Sequence, residues 1–75
     1  MNKSLEVLKN IYKPYRYTIR GNVLILETTS GDFVVKEKNN DKSMHELYAY
    51  LMSRSFTNFP ALVDASRNDV NVYEY

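Results

Sequence analysis

Lys36 and Glu46 are the two residues whose types and spacing could support chemistry. Lys36 falls in a predicted strand, and Glu46 follows it in a predicted helix. A strand lysine that is held by a helix carboxylate can act as a fixed positive charge for a phosphate group. The alternative is a solvent-exposed lysine in the charged run 36–38, and composition alone favours that alternative.

The strand that carries Lys36 is predicted to be the third strand of an antiparallel meander. Turn signals at 21–22 and 30–32 separate three segments rich in β-branched and aromatic residues, namely 15–20, 23–29 and 33–38. The first segment alternates, which predicts a half-buried strand, and the second is apolar on both faces, as in an interior strand. On the third, Lys36 shares a face with Val34, so it projects beside an apolar side chain.

Two amphipathic helices are predicted around the meander. The first has Ser4 as its N-cap, ends before Pro14, and carries an apolar stripe of Leu5, Leu8, Ile11 and Tyr12. The second has Asp41 or Ser43 as its N-cap, continues to about Phe56, and carries a stripe of Met44, Leu47, Tyr48, Leu51 and Met52. If Ser43 is the cap, Glu46 completes a capping box.

The remaining chain predicts a hairpin, with a short strand over 60–65, a turn at 67–69 and an alternating strand over 70–75. The element order therefore predicts an α+β fold. We expect an antiparallel sheet of about five strands, one amphipathic crossing helix and a short N-terminal helix. Residues 1–75 are expected to form a single domain.

Composition excludes several kinds of site. The 75 residues contain no cysteine, which rules out disulfides, thiolate metal sites and a cysteine nucleophile. His45 is the only histidine, and the two glycines, Gly21 and Gly31, are both explained by turns, so no glycine-rich phosphate loop is present. No apolar run is long enough to span a membrane, no signal peptide is recognisable, and a cytoplasmic location is expected.

A formal charge of +1, from ten basic and nine acidic residues, gives little electrostatic reason to expect a nucleic-acid ligand. One loose cluster could still stack on and neutralise a single strand: Tyr12, Lys13, Tyr15, Arg16, Tyr17 and Arg20. The alternative is an edge strand with basic side chains on its solvent face, and we favour it.

In element order the chain resembles the N-terminal lobe of the protein-kinase-like fold. It is most similar to the small-molecule branch, which includes aminoglycoside and choline phosphotransferases and the kinase-like spore coat protein S family. The matching features are a strand over 23–28, a turn ending in Gly31, a strand ending in Lys36, and a helix containing Glu46. Segments 58–63 and 70–75 are similar to the family's fourth and fifth strands.

The resemblance implies an ATP-binding lobe that requires magnesium and is not catalytic by itself. Lys36 would contact the α- and β-phosphates, Glu46 would orient Lys36, and Glu74 and Tyr75 would lie at the adenine edge. The family's catalytic and magnesium-binding residues belong to a C-terminal lobe that is expected to be absent here. On the helix, Glu46 lies about 200° from Met44, so a Lys36–Glu46 pair requires the helix to turn a second face towards the strand.

Three functions are therefore considered, and the third and least favoured is a small nucleic-acid-binding domain that uses the Tyr/Arg/Lys strand. The first is the nucleotide-binding lobe of a kinase-like phosphotransferase that acts on a small molecule. The second is a non-catalytic module, derived from that lobe, that binds a protein partner through the face the missing lobe would cover; interfaces are enriched in tyrosine, and this chain has seven.

Overall fold

The computed structural model describes residues 2–55 and 58–74, with the side chains of residues 2 and 3 excepted. The elements are α1 (Asn2–Tyr12), β1 (Arg16–Arg20), β2 (Val23–Thr28), β3 (Gly31–Glu37), α2 (Asp41–Ser53), β4 (Ala61–Asp64) and β5 (Val70–Glu74). The predicted α+β fold and its element order are confirmed. Within these ranges no helix is long and apolar enough to cross a membrane.

The five strands form one antiparallel sheet in the order β1-β2-β3-β5-β4, which places β3 at its centre. Two-residue turns at 21–22 and 29–30 close the first two hairpins, because Arg20 lies opposite Val23 and Thr28 opposite Gly31. Asp32, which was predicted to lie in the second turn, is therefore a strand residue. The pairing of β3 with β5 is non-local, and it brings Asn71 beside Lys36.

Each face of the sheet is covered by one helix. The α1 face carries a core of Leu8 with Leu24, Leu26, Phe33, Val35, Val70 and Val72. The α2 face carries a core of Leu47, Tyr50 and Leu51 with Val23, Ile25 and Val34. Neighbouring residues of β2 and β3 point to opposite faces, and these strands are apolar at both, so the sheet can bury both sides.

The helix starts differ from the predictions. Helix α1 already includes Asn2, so Ser4 is not its cap; instead, the Ser4 hydroxyl donates to the Asp69 carboxylate and holds the pKa of Asp69 below its ordinary value. The N-cap of α2 is Asn40, whose side-chain oxygen accepts from the Lys42 N–H at 3.0 Å. The predicted N-caps of both helices are therefore wrong, and the capping box of Ser43 and Glu46 does not form. For α2 the reason is that asparagine is as good an N-cap as serine or aspartate.

The apolar stripes are also only partly right. Ile11 and Met52 are 53% and 78% exposed, and Tyr48 is exposed as well, whereas Tyr50 is buried in the α2 core. Helix α2 ends at Ser53, and Phe56, the predicted end, lies outside the described residues.

Strand β1 is exposed along its whole length, so the prediction of a half-buried strand is wrong. The strand lies at the edge of the sheet, where neither helix covers it.

Candidate functional site

Lys36 lies near the end of the central strand β3 and is only 8% exposed. Its cross-strand partners are Val23 on β2 and Asn71 on β5, and with Val34 these residues share the face that α2 covers. The solvent-exposed alternative for Lys36 is therefore wrong. A lysine so deeply buried is uncommon, because its ammonium must give up water.

The Lys36 ammonium is sparsely bonded for a buried charge. Its Nζ donates one hydrogen bond, to the Glu37 carbonyl oxygen at 3.1 Å. Among residues 2–55 and 58–74 it forms no ion pair. An ammonium carries three donors, so two remain for a ligand or for a rearranged neighbour.

Glu46 is bound elsewhere. Its Oε2 accepts from the Asn22 backbone N–H at 2.8 Å, and its Oε1 accepts from the Asn22 Nδ2 at 2.9 Å. Because Leu47 and Ser43 point into the core, the flank of α2 that carries Glu46 faces the β1–β2 turn. The Lys36–Glu46 pair that the resemblance implies is therefore not formed, and Glu46 instead clasps the turn.

Gly21 makes this clasp possible. It has a φ of +61°, which glycine adopts without strain, and a Cβ atom at this position would lie 1.4 Å from the Glu46 Oε2. The Glu46 carboxylate thus packs directly against the backbone of the turn. We call the contact of Glu46 with Gly21 and Asn22 the turn clasp.

The predicted adenine-edge residues, Glu74 and Tyr75, are not placed beside Lys36 by the described structure. Glu74 lies opposite Phe33, on the α1 face, whereas Lys36 lies on the α2 face. Its side chain is exposed. Tyr75 lies outside the described residues.

Asn71 is the polar neighbour of Lys36 that sequence reasoning missed. Its Oδ1 is buried and has no hydrogen-bond partner among the described residues. The alternation of Val70, Asn71 and Val72 could have shown that Asn71 faces away from the two valines. The pairing with Lys36 depends on the β3–β5 register, for which the local sequence carries no signal.

The tyrosine-and-basic cluster is divided between the two faces of β1. Tyr17 lies opposite Leu26 on the α1 face, with the Lys9 ammonium 4.8 Å from its ring centre. Arg16 lies on the other face and pairs with Glu27 at 2.7 Å, a contact that raises the pKa of Arg16. The aromatic and basic groups therefore do not form one shared surface.

Comparison with known proteins adds no relative. No family model matches this chain, and no curated protein or solved structure is significantly similar to it. The site must therefore be interpreted from its own chemistry.

That chemistry favours an anion. The two spare donors of Lys36 suit the oxygen atoms of a phosphate. Across the described ranges, no three histidine or carboxylate side chains lie together as a potential metal site. Magnesium that accompanies a nucleotide is held by the phosphates and by one or two carboxylates.

An exposed apolar surface lies along α2 and β4. Exposed side chains of α2, the α2–β4 connection and β4 contribute to it, and we define this apolar surface as Tyr48, Met52, Phe59 and Leu62. The ring centres of Tyr48 and Phe59 are 6.0 Å apart, and Phe59 meets the buried Tyr73 edge-on at 5.6 Å. Exposed aromatic residues in contact with one another are typical of interaction surfaces.

Proposed function

We propose that this chain is the nucleotide-binding lobe of a kinase-like phosphotransferase that acts on a small molecule, with Lys36 contacting the phosphates. The observation that carries the proposal is the burial of Lys36, whose ammonium donates one hydrogen bond and has no carboxylate partner among residues 2–55 and 58–74. A buried charge costs free energy unless it is paired, and a phosphate would supply the missing pairing. The order of helices and strands, which is the one the resemblance implies, supports the same function.

The lobe binds but does not transfer phosphate by itself. Phosphoryl transfer depends on positioning and on metal-held charge. The proposal therefore places the metal-holding and catalytic groups in a second lobe, and the adenine edge at the end of β5, at Glu74 and the Tyr75 that follows it in the sequence. Binding by this lobe alone is expected to be weak, with a Kd of roughly 1 mM, or about −4 kcal/mol.

The experiment is a calorimetric titration of the chain with MgATP. The wild type is expected to bind, and Lys36→Met to bind at least about tenfold more weakly, because a charged hydrogen bond contributes about 1.5–3 kcal/mol. Lys42→Met is the matched control, since Lys42 is an exposed lysine on α2. Equal affinities for the wild type and Lys36→Met, or no binding of MgATP at millimolar concentration, would count against the proposal.

The apolar surface supports a second candidate function, a protein-interaction module. The simplest probe is a second copy of the chain, followed by sedimentation velocity at rising concentration. Met52→Lys is expected to abolish association without lowering the unfolding midpoint, because Met52 is 78% exposed. Lys42→Met, which changes an exposed α2 residue outside this surface, is the control. Association that survives Met52→Lys would argue against a role for this surface.

A further inference from the structure

We propose that Asn71 is the positioning residue for the Lys36 ammonium, the role that the resemblance gives to Glu46. This inference rests on the proposed function, in which Lys36 contacts a phosphate. Strand β5 would then contribute Asn71 to the phosphate site, in addition to the adenine edge at its end.

The register places the two side chains together. Lys36 and Asn71 are cross-strand partners in the β3–β5 ladder. Such partners project from the same face with Cβ atoms about 4.5–5.5 Å apart, which the four-carbon stem of a lysine easily spans. Among the described residues, Lys36 Nζ has two donors to spare, and the buried Asn71 Oδ1 is an acceptor without a donor. A buried acceptor left unbonded costs about 1–3 kcal/mol, so a bond between them is favoured.

The other acceptors around Lys36 are already engaged. Both carboxylate oxygens of Glu46 accept from Asn22 in the turn clasp. The Glu37 carbonyl oxygen is shared between Lys36 and the buried Ser43 hydroxyl, which donates to it at 3.0 Å. The Glu37 carboxylate accepts from the Asn40 Nδ2 at 3.1 Å. Asn71 is therefore the neighbour whose acceptor is still available.

An amide partner has a consequence that a carboxylate would not have. Bonds to the Glu37 carbonyl and to Asn71 Oδ1 would fix two of the three Lys36 donors and direct the third towards the ligand. Because both acceptors are uncharged, the full positive charge of Lys36 stays available for a phosphate. A glutamate in the same place would neutralise much of it.

The test combines three variants with two readouts. The variants are Asn71→Leu, which has a similar size but no acceptor, Asn71→Asp, which keeps an acceptor and adds a charge, and Glu46→Gln. The readouts are the chemical shifts of the Lys36 ε-methylene group in a ¹³C-labelled chain and the Kd for MgATP. The dispersion of the amide spectrum shows whether each variant is folded.

Asn71→Leu is expected to shift the Lys36 ε-methylene resonances and to weaken MgATP binding about tenfold. Asn71→Asp should hold Lys36 in place, with a single sharp ε-methylene resonance, yet bind MgATP more weakly than the wild type. Glu46→Gln should leave the Lys36 resonances unmoved. The inference would be overturned if the Lys36 resonances were unchanged in Asn71→Leu, or if they shifted in Glu46→Gln.

The two proposals fail in different ways. If the wild type does not bind MgATP but Asn71→Leu still moves the Lys36 resonances, the positioning role stands and the nucleotide function fails. If MgATP binds and depends on Lys36 but neither readout responds to Asn71, the positioning role fails alone. If Asn71→Leu does not fold, Asn71→Asp provides the test of the positioning role. Lys36 resonances in Asn71→Asp that resemble those of a mobile lysine would contradict that role.

Discussion

Replacing Lys36 with methionine is expected to raise the free energy of unfolding by about 1 kcal/mol while abolishing the nucleotide contact. Methionine has nearly the length and volume of lysine, so the buried stem keeps its packing on the α2 face, and the cost of burying a sparsely bonded ammonium is removed. Urea unfolding followed by circular dichroism measures the change. A gain in stability combined with a loss of binding would mark Lys36 as a functional residue.

Lys36→Ala is the informative control for this substitution. It removes the ammonium together with the stem and leaves a cavity beside Val23 and Val34, so we expect it to destabilise the chain by about 2–3 kcal/mol. A Lys36→Met chain that is as destabilised as Lys36→Ala would show that the ammonium contributes to folding. In that case Lys36 would be a structural residue, and the main support for the proposed function would be lost.

Gly21→Ala is expected to destabilise the chain by about 2–4 kcal/mol, which is large for 75 residues. Part of the cost is the positive φ of Gly21, about 1–2 kcal/mol for an alanine. The rest is the turn clasp, because the new Cβ displaces the Glu46 carboxylate and its two bonds to Asn22. Thermal and urea unfolding of the variant measure the sum.

A double-mutant cycle separates the two parts. In a Glu46→Ala background the carboxylate is already gone, so Gly21→Ala should then cost only the backbone contribution. The two single effects should therefore add up to more than the effect of the double variant. Strict additivity would show that Gly21→Ala does not act through the clasp and that Gly21 matters only for its backbone.

The strands of the sheet could be predicted from the sequence because their signals are local. The apolar strand β2, the turn glycine Gly21 and the alternation of β5 each specify their element within a few residues. The helix starts could not, since Asn40, Asp41 and Ser43 are all acceptable N-caps. Tyr48 and Met52 matched the periodicity of a core stripe, but they lie on a flank of α2 that neighbouring elements leave uncovered.

The candidate site was predictable only in part, because some of its contacts are local and others are tertiary. Lys36 could be suspected because it shares a face with Val34, and that is a property of one strand. The partners of Lys36 and Glu46 depend on tertiary contacts: Asn71 is brought in by strand pairing, and Asn22 by the rotation of α2 over the sheet. A pairing between residues 35 positions apart has no signature in either local segment.

The most direct measurement of whether Lys36 contacts a phosphate is an NMR titration of the ¹⁵N- and ¹³C-labelled chain with MgATP. The proposed function predicts saturable shifts that centre on the Lys36 ε-methylene group and on the amides around positions 36 and 71, and that vanish in Lys36→Met but persist in Lys42→Met. Shifts that centre elsewhere, that persist in Lys36→Met, or that are absent at millimolar MgATP would contradict it.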